Sequence, residues 1–95
     1  MLKVVAQFFF RNGEVEKALT LAKALVVETR KEKGCISYEL CQNPEKDTHI
    51  AFIEEWESQA ALDAHFQTPH FVDLVPKIQA LTERDLVINT FNKVA

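Results

Sequence analysis

The chain is poor in the residues that build most specialised sites. Its 95 residues include two glycines, two cysteines, three prolines and one tryptophan. There is no Gly-rich loop to cradle a phosphate, and no GxSxG elbow, HExxH helix or CxxC pair. Basic residues are not in excess, since 11 Lys and Arg face 14 Asp and Glu for a net charge of -3. That balance argues against nucleic acid, whose phosphates favour a clustered basic surface. No apolar run reaches the roughly 20 residues of a membrane span. The opening MLKVVAQFFF is interrupted by Lys3 and Gln7 and lacks a small-residue cleavage site. One cytosolic domain over residues 1–95, away from membranes, is the expectation. Flavin and nicotinamide domains need a longer chain.

The two cysteines, Cys35 and Cys41, fall on one predicted strand. At about 3.3 Å per residue they lie roughly 20 Å apart, whereas a disulfide needs Cα atoms within about 7 Å. Two reduced thiols packed as small side chains are expected. His49, His65 and His70 are spaced 16 and 5 apart with no i to i+4 pair on one helix, so no metal site is expected.

What is present is clear periodicity. Leu2 to Phe10, rich in Val and Phe, stops at the Arg11-Asn12-Gly13 turn signal and reads as a strand. Val15, Ala18, Leu19, Ala22, Leu25, Val26 and Thr29 then form a helical stripe, with Gly34 as the glycine that ends it. In Cys35 to Gln42, Ile36, Tyr38 and Leu40 alternate against Cys35, Ser37 and Glu39, a strand period. The Asn43-Pro44-Glu45-Lys46-Asp47 turn joins this strand to His49–Trp56 as a hairpin. Ser58 starts a short helix to about Phe66, and Thr68-Pro69 opens another whose apolar face is Phe71, Leu74, Val75, Ile78 and Leu81. Pro76 inside that stripe predicts a kink or break. Asp85 to Val94 reads as the last strand.

The order is the β-α-β-β-α-β of an α+β ferredoxin-like domain, with an antiparallel sheet and its second helical region split in two. Helices cover one face of such a sheet. The first and third strands, however, are apolar on both parities, so something must cover the second face. A second copy across a two-fold axis is the economical answer.

The stretch FIEEWESQAALDAHFQTPHFVDL, Phe52 to Leu74, together with MLKVVAQ and EKGCISYEL, resembles the antibiotic biosynthesis monooxygenase family of small dimeric oxygenases and isomerases. The resemblance runs over nearly the whole chain. It implies a dimeric α/β barrel, a pocket between sheet and helices, and oxygenase chemistry without a cofactor, the substrate supplying the electrons.

Candidate residues follow from the strand parities and that resemblance. Trp56, Glu54 and Phe52 share a side. There the indole could stack on a flat aromatic substrate, or simply pack the core. His65 is either a neutral base for a substrate hydroxyl or a partly exposed histidine with no task. His70 lies in a first helical turn, whose positive end would keep it neutral, although Thr68 as cap and Phe71 as anchor explain the segment structurally. Glu54 is a carboxylate on an apolar face, with an ion pair to Arg11, Arg84 or a lysine the expectation; Glu55 and Glu57 read as solvated. Gln7 matches an Asn of the haem-degrading branch and could hold dioxygen or an oxyanion, or pack. Tyr38 could hydrogen-bond a ligand or serve as a core aromatic. Phe52, Phe66 and Phe71 complete the expected substrate lining.

The resemblance therefore implies a cofactor-independent monooxygenase acting on a small hydroquinone or polyphenol and dioxygen, with His65, aided by Glu54, removing a phenolic proton. Quinone-forming members carry Asn or Tyr around the tryptophan, where this chain has Phe52 and Leu62. The alternative is an isomerase of a small phosphorylated hydroxyketone, whose relatives are similar around AHFQTPHF but carry a further histidine where Val26 aligns. A non-catalytic ligand-binding dimer is the third reading. Haem degradation fits poorly, because the iron-binding histidine aligns with Val75.

Overall fold

The computed structural model describes all 95 residues. The chain runs β1 (Leu2–Phe9), α1 (Val15–Thr29), β2 (Cys35–Gln42), β3 (His49–Trp56), α2 (Gln59–His65), α3 (Pro69–Gln79) and β4 (Val87–Asn92). The four strands form one antiparallel sheet of order β2-β3-β1-β4, the ferredoxin-like arrangement expected from the periodicity. No helix is long and apolar enough to cross a membrane.

Alternation along β1 sends Leu2, Val4, Ala6 and Phe8 under the helices and Lys3, Val5, Gln7 and Phe9 to the other face. The β1–β3 register places Trp56 opposite Leu2, Glu54 opposite Val4 and Phe52 opposite Ala6, so these three also face the helices. Helix α1 meets them through Ala18, Ala22 and Leu25, and the two alanines, fully buried, let the helix lie close to the sheet. Val75 and Ile78 of α3 close the core.

The helix starts follow the expected chemistry. The Ser58 hydroxyl accepts from the Ala61 N–H at 3.2 Å, and the Thr68 hydroxyl accepts from the Phe71 N–H at 3.3 Å, with Pro69 at the first helical position. Helix α3 continues through Pro76 without the expected break; the carbonyl deprived of its donor belongs to the exposed residue Val72.

Several expectations are corrected. Gly34 does not cap α1, which ends at Thr29; it shapes the later turn into β2. The alternation in β2 is interrupted by a register shift between Cys35 and Ser37, which leaves Ile36 exposed while Tyr38 is buried. Cys35 is half-buried against the core but Cys41 is exposed, so only one thiol is packed. The last strand is shorter than Asp85–Val94, and all its residues are exposed.

The open face of the sheet is apolar with polar ties. Val5, Ile53, Val87 and Phe91 lie on it, the last three more than a third exposed. Glu55 is not simply solvated: it pairs with Lys3 at 2.8 Å, which holds its carboxyl below the ordinary range. His49 Nε2 lies 2.8 Å from Gln7 Oε1, and the His49 ring stacks on Phe9 at 4.6 Å.

Gly34 has φ +91, and a Cβ there would sit 2.6 Å from the Ala61 Cβ of α2. Gly34→Ala should therefore lower stability by about 2–3 kcal/mol, combining backbone strain with the clash. Urea denaturation checks this, and adding Ala61→Gly should recover the clash component alone.

Candidate active site between sheet and helices

Between the helix-covered face of the sheet and α2–α3 lies a cavity of about 340 Å³, lined by 16 residues of which 12 are hydrophobic. Sheet residues Val4, Ala6, Phe8 and Phe52 form its floor, and Phe66, Phe71 and Val75 stand opposite. Its polar side chains are Tyr38, Glu54, His65 and Gln79. No lysine or arginine lines it.

His65 ends α2 and is 1% exposed. Its ring lies 4.6 Å from Trp56, 5.6 Å from Tyr38 and 5.0 Å from Phe71, an aromatic enclosure that fixes its orientation. Its Nδ1 is 2.7 Å from Oε2 of Glu32, in the turn between α1 and β2, and that same oxygen is 2.7 Å from His70 Nε2. An ionised carboxylate can accept from both rings. Glu32 then sets the His65 tautomer with the proton on Nδ1, leaving Nε2 as a lone pair for the cavity.

Glu54 is 5% exposed, and its Oε1 accepts the Trp56 indole N–H at 2.9 Å. The expected ion pair does not form; neither Arg11, Arg84 nor a lysine reaches Glu54, because its parity turns it inward while Arg84 packs over Phe9 at 3.7 Å on the open face. Trp56 is fully buried and absent from the cavity wall, so it holds Glu54 and His65 rather than presenting a stacking surface to a ligand. Gln7 lies on the opposite face, bonded to His49, outside the cavity. His65 is buried rather than partly exposed. His70 touches Glu32 but does not line the cavity. Phe52, Phe66, Phe71 and Tyr38 all line it.

Sequence reasoning missed Glu32. It sits 33 positions from His65 in the polar segment Lys31-Glu32-Lys33, and nothing in that segment signals a buried partner. The histidine spacing also misled: with His65 and His70 on two helices, the junction between them brings both onto one carboxylate, which no single-helix rule captures.

Residues 1–77 match the family model described as antibiotic biosynthesis monooxygenase. The uncharacterized protein sll1783 of Synechocystis sp. is 36% identical over 76 residues, 80% of this chain and 52% of the relative, so the chain spans about half that protein's length. A protein of Escherichia coli named probable quinol monooxygenase YgiN is 38% identical over 81 aligned residues, covering 74% of this chain and 77% of the relative. Among solved structures, the crystal structure of an antibiotic biosynthesis monooxygenase matches with a TM-score of 0.96 and 40% identity over 100% of both chains.

Burial moves the two cavity acids and bases toward each other. Glu54 is pushed up to about 7 by loss of water and by the nearby Glu32 charge, against the opposing Trp56 hydrogen bond. Burial pushes His65 down, with Glu32 opposing, so the ring is held neutral. Tyr38 is raised well above the phenol range by burial and then by Glu54, and remains protonated. The Cys35 thiol, raised to about 11 by burial and the Glu32 and Glu54 charges, is a poor nucleophile.

The Glu54 shift has a stability consequence. A folded-state value above the ordinary 4.5 means stability is fully present below pH 4.5 and is lost as pH rises toward about 7. Relative to Glu54→Gln, the native chain should lose about 2–3 kcal/mol across that window. His65 acts in the opposite sense, gaining stability as pH rises through the ordinary imidazole range, and is common to both proteins. Denaturant unfolding from acid to neutral pH checks the difference; parallel curves would show that Glu54 ionises freely.

Proposed function

The chain belongs to the antibiotic biosynthesis monooxygenase family, and from that premise we propose that it is a monooxygenase acting without a cofactor on a small hydroquinone or related polyphenol. One observation carries this reading: a single apolar cavity holds a neutral imidazole oriented by a carboxylate and a carboxyl group, raised to about 7 by burial, that is still partly protonated at neutral pH. His65 Nε2 takes a phenolic proton, and the electron-rich anion reduces dioxygen by one electron in the water-poor cavity. Recombination at a ring carbon forms the C–O bond, and the proton held by His65 returns to the peroxide to give a substrate hydroperoxide. The O–O bond then breaks as Glu54 protonates the departing oxygen, which leaves as water, while the ring C–H proton at the same carbon passes to His65 Nε2 and leaves a ring carbonyl. One oxygen atom enters the ring, the other becomes water, and the hydroquinone supplies all four electrons, ending as a hydroxyquinone. The quinol class is favoured by the name of the E. coli relative and by flat aromatic walls. Phosphorylated substrates of the isomerase reading would need a cation, and the cavity offers none.

A homodimer through the open sheet face belongs to the same reading. Ile53, Val87 and Phe91 form an exposed apolar patch there, which a second copy would cover. Light scattering at micromolar concentration should give twice the chain mass; a stable monomer overturns the dimer.

Oxygen uptake with a panel of hydroquinones, menadiol included, tests the activity. Saturable uptake above spontaneous oxidation is expected, with a loss of roughly 10²-fold or more in His65→Ala, assayed well below the lowered melting temperature that truncating this buried, hydrogen-bonded ring brings. Uptake that survives in His65→Ala would remove the base, and no enzyme-dependent uptake with any panel member would remove the oxygenase reading.

A further inference from the structure

We propose that Glu32, His65 and His70 form a binding site for a divalent transition-metal ion such as Zn2+, and that occupancy of this site turns off the imidazole facing the cavity. Three segments converge to build it: the turn after α1, the last residue of α2 and the second residue of α3. One donor atom from each lies within 4.8 Å of the others, and Oε2 of Glu32 is 2.7 Å from both ring nitrogens. Tetrahedral sites with bonds of about 2.0–2.2 Å place their donors roughly 3.4 Å apart, so a small adjustment seats an ion where two N–H protons now converge on one oxygen.

The donor set selects the ion. Two imidazoles and one carboxylate suit Zn2+, Co2+ or Ni2+, whereas Ca2+ and Mg2+ favour oxygen donors. With three protein ligands, the fourth position is left to water. Access comes from the side of Glu32 and His70, whose side chains are 12% and 17% exposed, while His65 at 1% is fixed from within.

The second half of the proposal rests on His65 acting as the base. A metal ion on Nδ1 displaces the proton that Glu32 now accepts. The single proton of the neutral ring then resides on Nε2, so His65 presents a donor to the cavity where it had presented a lone pair. Proton removal from a phenol stops, although the cavity keeps its shape.

Calorimetric titration of metal-stripped protein with Zn2+, repeated with Co2+ to read the visible absorption of a tetrahedral centre, tests the site. About one ion per chain is expected, weakened roughly tenfold or more in His70→Gln, His70→Ala and Glu32→Gln, each checked for fold by circular dichroism. Absence of stoichiometric binding, or equal affinity in folded variants, overturns the site and leaves the oxygenase reading intact. Oxygen uptake by the unaltered chain should fall in proportion to Zn2+ occupancy and return with a chelator. Stoichiometric binding without loss of uptake overturns the switch, and with it the base role of His65. If no hydroquinone is turned over, the calorimetry still decides the site.

Discussion

The pairing of β1 with β3 is the constraint on which the rest depends. Side chains alternate along a strand, so a slip of one residue would carry Phe52, Glu54 and Trp56 to the open face and dismantle the cavity. Hydrophobicity alone would not forbid the slip, because both strands are apolar on both parities. Polar ties across the open face do forbid it: Lys3 meets Glu55 directly opposite at 2.8 Å, and Gln7 reaches His49 at 2.8 Å. A group exposed on one face thereby determines which residues are enclosed on the other. Gln7, expected in the site, acts on it only through this register.

Enclosing polar groups in an apolar cavity is costly unless each is satisfied. Glu54 has the Trp56 indole on one oxygen, and His65 has Glu32 on one nitrogen. Each is thus half satisfied within the protein, and the second oxygen and second nitrogen are left for whatever enters. Trp56 links the two, donating to Glu54 while packing against the His65 ring. That places the tryptophan at the centre of the site without giving it contact with the cavity.

The fold was legible because its signals are local. Strand alternation, the Ser58 and Thr68 caps and the Asn43–Asp47 turn each depend on neighbours a few residues away. The shared side of Phe52, Glu54 and Trp56 followed from parity alone. What escaped depends on contacts distant in sequence: Glu32 reaches His65 across 33 positions, and His70 joins them only because α2 and α3 meet at an angle. The ion pair predicted for Glu54 failed for a related reason, since pairing was judged by charge without knowing which face the basic residues occupy. Ile36 was misplaced because a register shift leaves no mark in the apolar pattern.

The edge strand β4 couples the two faces. Ile88 lines the cavity on the helix side and is 47% exposed, while Val87 and Phe91 face the other way. Of the other exposed wall residues, Val72, Pro76 and Gln79 lie on α3 and Phe66 just after α2, so the mouth opens between this helical segment and β4. An edge strand exposed at every position is held chiefly by its pairing with β1. Strand β1 therefore serves the cavity twice: its pairing with β3 fixes the position of Glu54, and its pairing with β4 holds one lip of the mouth.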